Sequence, residues 1–278
     1  MFKGRKLLIA TKHNKESVIA PIFNTELGVH CFTSDAFDTD SLGTFSGEIA
    51  RSDSALTTLR NKCILANKAT GCDLVIATEG SFGPHPSLFF AAANDELIIL
   101  KDFKNDIEII ARELSMDTNF DGKLIISELE LKAFAEKVQF PTHGIILKST
   151  EENPIQIIKH NRSVEELIQN FRELSKAFKT VFAETDMRAV FNPTRMKVIQ
   201  KAAENLLIKI NNCCPNCDTP GFDIVSVKTG LKCENCSFPT RSTISHLYQC
   251  KKCEFKYEKM FPRGIQFEDP TYCDFCNP

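Results

Sequence analysis

Eight of the twelve cysteines in this 278-residue chain form four Cys-x-x-Cys pairs near the C-terminus. Such a turn presents two thiolates side by side, and two turns supply the four sulfur ligands of a tetrahedral zinc site. The pairs therefore predict about two structural zinc ions per chain, held in zinc ribbons. Their spacing leaves open whether successive pairs join or cross over. The pairs are Cys214–Cys217, Cys233–Cys236, Cys250–Cys253 and Cys273–Cys276.

A second group of side chains with chemical potential follows the apolar run at residues 74–77. This run has no polar alternation, which is typical of a strand buried on both faces of a parallel sheet. Ligands bind beyond the carboxyl ends of such strands, so we expect a loop at 80–86 that places Glu79 and His85 in a catalytic position and Ser81 near a substrate. A tight turn with a solvated glutamate is the alternative interpretation.

The first strand, predicted over residues 6–11, leads into a polar turn and then a helix. The turn carries Thr11, Lys12, Asn14 and Lys15. Backbone N–H groups and the dipole at a helix start attract an anion, so the turn is a candidate phosphate site. It lacks the glycines of a P-loop or dinucleotide fingerprint. Solvated lysines on a surface turn are the alternative.

A helix is predicted from about residue 48 to 68, after an acidic loop at 33–47 that could help to hold a divalent cation. Leu56, Leu59, Cys63 and Ala66 recur at helical spacing and form its buried face. The opposite edge has a polar stripe that could face a metal-bound phosphate chain. The stripe contains Glu48, Arg51, Thr58 and Lys62.

These motifs, in this order, resemble the inosine and xanthosine triphosphate pyrophosphatase superfamily, over roughly residues 6–100. The resemblance rests on Thr-x-x-Asn-Lys at 11–15, on Arg-Asn-Lys at 60–62 and on the 77–83 segment. It implies Mg²⁺- or Mn²⁺-dependent release of pyrophosphate from a non-standard purine nucleoside triphosphate. It places Thr11, Asn14, Lys15 and Lys62 on phosphates, and Glu48 and Glu79 on metal or water.

Two segments depart from that pattern, namely Gly-Pro-His-Pro at 83–86 and residues 49–53. The whole chain also resembles an uncharacterised bacterial family that joins such a front half to a cysteine-rich tail. That second resemblance implies no activity.

Residues 117–128 fit the template of a calcium-binding EF-hand loop. The preceding segment, 107–114, reads at least as well as a strand, and EF-hand loops normally occur in pairs. We therefore expect an Asp-Gly turn between two elements, with a calcium site as the less favoured alternative.

The middle of the chain predicts a helix over 163–178 and another that begins at Pro193 with Asn192 as its cap. Between them, Asp186 and Arg188 belong to a compact group of two acids and two arginines. The sequence allows either a salt-bridged structural corner or a loop that contacts metal or phosphate.

Composition bounds the remaining alternatives. The net charge of −2 provides no basic field for nucleic acid or membrane, and the first ten residues contain only a four-residue apolar run. We therefore expect a cytoplasmic protein with reduced cysteines. The tail from residue 211 has eight basic and eight acidic side chains, which favours a structural or protein-binding role over nucleic-acid binding.

The sequence thus predicts an α/β fold, with a mixed sheet and flanking helices followed by a small double zinc-ribbon region. The expected divisions are 1–160, a helical segment at 161–211, and the ribbons at 212–278. The leading hypothesis is a metal-dependent nucleoside triphosphate hydrolase that acts on a phosphorylated small molecule. The alternative is a non-enzymatic protein whose ribbons bind a protein or nucleic-acid partner.

Overall fold

The structure, a computed structural model, describes residues 1–37 and 54–278. These residues divide into two compact units, Met1–Leu206 and Leu207–Pro278. The larger unit contains two β-sheets with their helices, and the smaller unit contains the eight paired cysteines. This confirms the predicted α/β class with a cysteine-rich C-terminal region.

The first sheet has five strands in the order β2-β1-β3-β4-β5. Strand β1 is parallel to β2 and β3, whereas β3, β4 and β5 form an antiparallel meander, so the sheet is mixed as expected. Its elements are β1 (Lys6–Ala10), α1 (Glu16–Leu27), β2 (His30–Phe32), α2 (Ala55–Thr70), β3 (Leu74–Pro84), β4 (Ala92–Asp102) and β5 (Ile107–Ser115).

Helix α2 covers one face of this sheet. Its N-cap is Ser54, whose side chain accepts a hydrogen bond from the Thr57 backbone N–H, and it ends at Gly71 in the left-handed conformation that glycine favours. The predicted face is buried at Leu59, Cys63 and Ala66, which pack against the sheet. The first part of the expected helix, including Glu48 and Arg51, lies outside the described residues.

Strand β3 corrects the prediction of a loop over residues 80–86. The strand continues to Pro84 because every residue from Leu74 to Pro84 has a cross-strand partner on β4. Glu79 therefore lies in the middle of a long hairpin strand and not at a strand end. A single-sequence pattern missed this because the glycines at 80 and 83 favour loops by propensity, while pairing with β4 outweighs that preference.

The second sheet is fully antiparallel, with the order β6-β9-β7-β8. Helices α3 and α4 bury their apolar faces in a common core with it, including Phe134, Leu167 and Phe171. The elements are β6 (Gly122–Ile125), α3 (Glu128–Lys137), β7 (Ile145–Lys148), β8 (Ile157–Ile158), α4 (Val164–Ala177) and β9 (Val181–Thr185). Segment 161–211, expected to be helical, thus also supplies a strand that pairs with both β6 and β7.

The candidate calcium loop is divided between an irregular segment at 117–121, strand β6 and the start of α3. The segment before it is strand β5, so the entering helix of an EF-hand is missing from this described region. Its potential ligands make other contacts: Asp121 pairs with Lys137, and Glu128 pairs with Arg172. The expected Asp-Gly turn is not formed either, because Gly122 is the first residue of β6 and pairs with Glu184 of β9.

Helix α5 (Pro193–Asn211) begins as predicted, with the Asn192 side chain accepting a hydrogen bond of 2.9 Å from the Arg195 backbone N–H. In the smaller unit, three strands form an antiparallel sheet in the order β10-β12-β13, and two short strands pair in parallel. These strands are β10 (Asp223–Thr229), β11 (Lys232–Cys233), β12 (Thr243–Gln249), β13 (Lys256–Met260) and β14 (Phe267–Glu268).

Candidate functional sites

Two lysines, Lys15 in the turn before α1 and Lys62 on α2, converge on Thr78 of β3. Lys15 Nζ donates a 2.8 Å hydrogen bond to Thr78 Oγ1, and Lys62 Nζ donates a 3.2 Å hydrogen bond to the Thr78 carbonyl oxygen. Lys62 also forms a 2.5 Å ion pair with Glu79 Oε2. Thr78 and Glu79 are both buried, so this group of ionised side chains lies largely out of water.

Lys15 reaches this position because the turn after β1 is tight. Asn14 has a positive φ of 55°, a conformation that asparagine tolerates better than most residues, and α1 starts immediately after Lys15. Burial, together with the nearby Arg195 charge, lowers the pKa of Lys15 to about 7. An anion placed against this ammonium would favour its charged form.

A second charged pair joins Glu96 on β4 of the same sheet to Arg195 on α5. Arg195 Nε donates a 2.6 Å hydrogen bond to Glu96 Oε1, and both side chains are about 1% exposed. Arg195 also bonds the Met187 carbonyl oxygen, and its guanidinium carbon lies 5.2 Å from the centre of the Phe82 ring. The centre thus combines three cations, at 15, 62 and 195, with two carboxylates, at 79 and 96, which gives a net positive charge when all are ionised.

Glu96, Arg195 and Asn94 were not among the predicted site residues. Asn94 and Glu96 belong to the polar run Asn94-Asp95-Glu96 of β4, and a polar run normally indicates residues in solvent. Here Asn94 and Glu96 are covered, and each is only 1% exposed. The available signal was the concentration of charge around Arg195, whose partner lies 99 residues earlier in the chain.

The other predicted phosphate-binding residues occupy the turn before Lys15. Thr11 Oγ1 accepts a 3.4 Å hydrogen bond from the His13 backbone N–H, whereas Lys12 and Asn14 are exposed. Ser81 is also exposed, on the part of β3 beyond Glu79. Their assignment to substrate stays a prediction.

His85 lies at the tip of the β3–β4 hairpin. Its Nδ1 atom accepts hydrogen bonds from the backbone N–H groups of Ser87 and Leu88, at 3.2 and 3.1 Å. Five strand residues lie between it and Glu79, and six steps of extended chain correspond to a distance of about 20 Å. The structure therefore places His85 in a turn and does not bring it to the site where Lys15 and Lys62 meet at Thr78.

Asp186 and Arg188 form the salt-bridged corner that was one of the two expected alternatives. Arg188 Nη2 lies 2.5 Å from Asp186 Oδ2, and the guanidinium covers the Phe191 ring. Asp186 also borders a cavity of about 70 Å³ between the two sheets of the larger unit. The cavity is lined by Phe82, Phe120, Ile146, Glu184, Thr185, Asp186 and Met187.

The eight paired cysteines form two groups of four in the smaller unit, and the pairs cross over. The first pair joins the third, and the second joins the fourth. Sulfur separations across the pairs are 3.6–3.9 Å, close to the edge of about 3.8 Å expected for a tetrahedron with Zn–S bonds of about 2.3 Å. The groups are Cys214, Cys217, Cys250 and Cys253, and Cys233, Cys236, Cys273 and Cys276.

The two groups repeat the same local contacts. Asn216 and Asn235, each just before the second cysteine of its pair, donate side-chain hydrogen bonds to Cys253 and Cys276 respectively. Hydrogen bonds with the Asn216 side chain and the Phe255 backbone contribute to lowering the pKa of Cys253 to about 6, which favours the thiolate that zinc requires. Geometry and donor chemistry therefore both fit two zinc ions. Within residues 1–37 and 54–278, these are the groups of three or more His, Cys, Asp or Glu that could hold a metal ion.

A search for membrane-crossing segments found no helix of sufficient length and apolar character in the part of the chain that the structure describes.

Comparison with known proteins places the chain in a family. A search of curated proteins gave no match. Among solved structures, the protein VC0702 from Vibrio cholerae is similar over 75% of this chain and 96% of its own, with 13% identity and a TM-score of 0.36, too low to establish a common fold. Neither result bears on the pyrophosphatase resemblance, which stays a hypothesis. Residues 62–278 match a domain of unknown function, DUF6671. The chain therefore belongs to the DUF6671 family.

Proposed function

We propose that the larger unit is a nucleoside triphosphate hydrolase that releases pyrophosphate. The observation that carries this proposal is the convergence of Lys15 and Lys62 on Thr78, beside the buried carboxylate of Glu79. Preorganised ammonium groups that are shielded from water stabilise the charge that develops on phosphoryl oxygens. The turn at 11–15 adds backbone N–H groups at the start of α1.

The proposed roles follow from the contacts. A bound triphosphate competes with Glu79 for Lys62, so the ion pair opens and the carboxylate becomes available to a water molecule. Glu79 takes a proton from that water molecule while the water oxygen bonds to the α-phosphorus. The bond from the α-phosphorus to the departing pyrophosphate then breaks. Thr11, Lys12, Asn14 and Ser81 are the remaining candidates for substrate contact.

Mg²⁺ or Mn²⁺ fits this proposal as an ion that arrives on the nucleotide. Mg²⁺ is commonly held by one or two carboxylates together with substrate phosphates. Glu79 is such a carboxylate, with Glu48 as the second candidate. The metal would neutralise phosphate charge when bound.

The experiment is a hydrolysis screen of inosine, xanthosine, guanosine, adenosine and cytidine triphosphates with Mg²⁺ and with Mn²⁺, with separate assays for pyrophosphate and orthophosphate. We expect pyrophosphate from at least one purine nucleotide and about a hundredfold or greater loss in Glu79→Gln. Glu136→Gln, at an exposed position on α3, is the matched control. Full activity in Glu79→Gln would contradict the role given to Glu79, and no turnover of any nucleotide would contradict the proposal.

The alternative is that the zinc-binding unit docks a partner and the larger unit has no turnover. One observation favours it: Phe238 and Phe275 stack with ring centres 5.9 Å apart while 51% and 69% exposed. The equal numbers of acidic and basic side chains favour a protein partner over nucleic acid. Binding of labelled single- or double-stranded nucleic acid by the full chain, lost in Phe238→Ser/Phe275→Ser, would instead favour nucleic acid. A cytoplasmic location remains part of this proposal.

A further inference from the structure

Lys15 differs from the two cations near it in having no carboxylate partner. Lys62 forms an ion pair with Glu79, and Arg195 forms one with Glu96. Lys15 forms no ion pair with any residue that the structure describes, and its hydrogen bond goes to a neutral hydroxyl group. Within this described group, three basic side chains therefore face two acidic ones. One anion is missing if all three basic side chains are to carry a charge out of water.

The surroundings of Lys15 make its charge costly. The side chain is buried, and it reaches the sheet at Thr78. Arg195 and its partner Glu96 lie one level further along the same face, because Glu96 is opposite Gly80, two residues beyond Thr78 on β3. Alternate residues of a strand are about 7 Å apart, so the guanidinium is close enough to repel an ammonium in a poorly solvated site. Geometry alone therefore favours the neutral amine of Lys15.

The charged groups that act on Lys15 belong to four other elements. Burial and the charge of Arg195 on α5 lower its pKa, and so does the charge of Lys62 on α2. Glu96 on β4 and Glu79 on β3 act in the opposite direction, but the pKa is still lowered to about 7. At about pH 8 Lys15 is therefore mostly neutral, and the two remaining cations are balanced by the two carboxylates.

We infer that a phosphate group binds at Lys15 together with one proton. This inference rests on the proposed function, which places a triphosphate at this turn. The phosphate supplies the anion that the chain does not, and solvent supplies the proton. The lone pair of Lys15 Nζ forms the new N–H bond, and no other bond forms or breaks. Capture of phosphate by Lys15 therefore weakens as the pH rises above neutrality, whereas an exposed lysine keeps its charge to about pH 10.

The test measures the charge of Lys15 with and without an anion, by NMR of the full zinc-loaded chain with isotope-labelled lysine. The Cε chemical shift of a lysine changes when its amine is protonated, and the Lys15 signal is the one missing from Lys15→Met. The probe is inorganic triphosphate without divalent cations. We expect a titration midpoint near pH 7 in the free protein and an upward shift of about one to three pH units when the probe is saturating.

Lys12→Met is the matched control, since Lys12 is an exposed lysine in the same turn. It should leave the Lys15 midpoint near pH 7 in the free protein and preserve the upward shift with the probe. If Lys15→Met does not fold, Thr78→Val identifies the same signal, because loss of the hydroxyl partner displaces it. A Lys15 midpoint near the ordinary lysine value of about 10 in the free protein would overturn the inference. A midpoint that saturating triphosphate leaves unchanged would overturn it as well.

The outcomes separate this inference from the proposed function. Nucleotide hydrolysis together with an unchanged Lys15 midpoint would reject the proton coupling and leave the hydrolase in place. A shifted midpoint in a protein that hydrolyses no nucleotide would support the proton-coupled phosphate site and reject only the reaction. Absence of both triphosphate binding and hydrolysis would overturn both proposals.

Discussion

Gly80 lies directly opposite Glu96 across β3 and β4, and the missing glycine side chain leaves room for the glutamate carboxylate. A Cβ atom at residue 80 would lie 2.3 Å from Glu96 Oε1 and 2.6 Å from Arg195 Nη2. Both distances are well below van der Waals contact. The requirement for glycine here concerns the side chain opposite and not the backbone conformation.

Gly80→Ala should therefore be strongly destabilising. The added methyl group displaces the carboxylate from the guanidinium, and breaking a buried ion pair costs on the order of 3–5 kcal/mol. The measurement is the free energy of unfolding in urea. Gly83→Ala is the matched control. Gly83 lies on the same strand as Gly80, but a Cβ atom added there would meet nothing within 4 Å. Equal effects of the two substitutions would contradict the packing argument.

The Lys62–Glu79 ion pair should show strong energetic coupling. Lys62→Met leaves the 4%-exposed Glu79 carboxylate without its lysine and should cost on the order of 3 kcal/mol. In a double-mutant cycle with Glu79→Gln, we expect a coupling energy of about 1–3 kcal/mol.

The exposed Arg172–Glu128 pair provides the comparison for that cycle. Its side chains are 62% and 38% exposed, so its coupling should stay below about 1 kcal/mol. If the coupling energy of Lys62 and Glu79 is no larger than that of Arg172 and Glu128, water screens the Lys62–Glu79 ion pair and the prediction is wrong.

Lys15 should make stability depend on pH above neutrality. Its pKa in the folded protein is about 7, below the ordinary lysine value, so the unfolded chain binds more protons between about pH 7 and pH 10. Stability should therefore rise with pH through this window, by up to about 1.4 kcal/mol per unit from this group. Below pH 7 both states are protonated and this contribution becomes constant.

The measurement is the difference in unfolding free energy between the wild type and Lys15→Met at pH 7 and pH 9, which cancels other titrating groups. Lys179→Met, at an exposed position, is the control and should not change the slope. A wild-type slope that persists in Lys15→Met would rule out Lys15 as its source.

The crossed pairing of cysteines predicts a distinctive zinc stoichiometry. The wild type should contain about two zinc ions per chain by elemental analysis. Cys217→Ser/Cys250→Ser removes two ligands from one group and should leave about one ion, whereas Cys217→Ser/Cys233→Ser damages both groups and should leave none. Sequential pairing of the Cys-x-x-Cys turns would give the reverse result.

Much of the fold could be predicted because its signals are local. The apolar runs at 6–10 and 74–77 indicate buried strands, Ser163 and Asn192 indicate helix starts, and the Cys-x-x-Cys turns indicate metal ligands. Each depends on residues a few positions apart. The hairpin strand through Gly80 and the strand β9 were missed because their stability comes from pairing with distant segments.

The candidate site divides in the same way. By itself, the sequence determined the residue types at the two lysine positions and at Glu79, and it determined eight thiols in four pairs. Only the tertiary structure decided that Lys15 and Lys62 meet at Thr78, that Arg195 pairs with Glu96, and that the first cysteine pair joins the third. The reason is physical. Spacing along a chain fixes neighbours within a turn or a strand, whereas the burial that changes pKa values arises only when distant segments pack together.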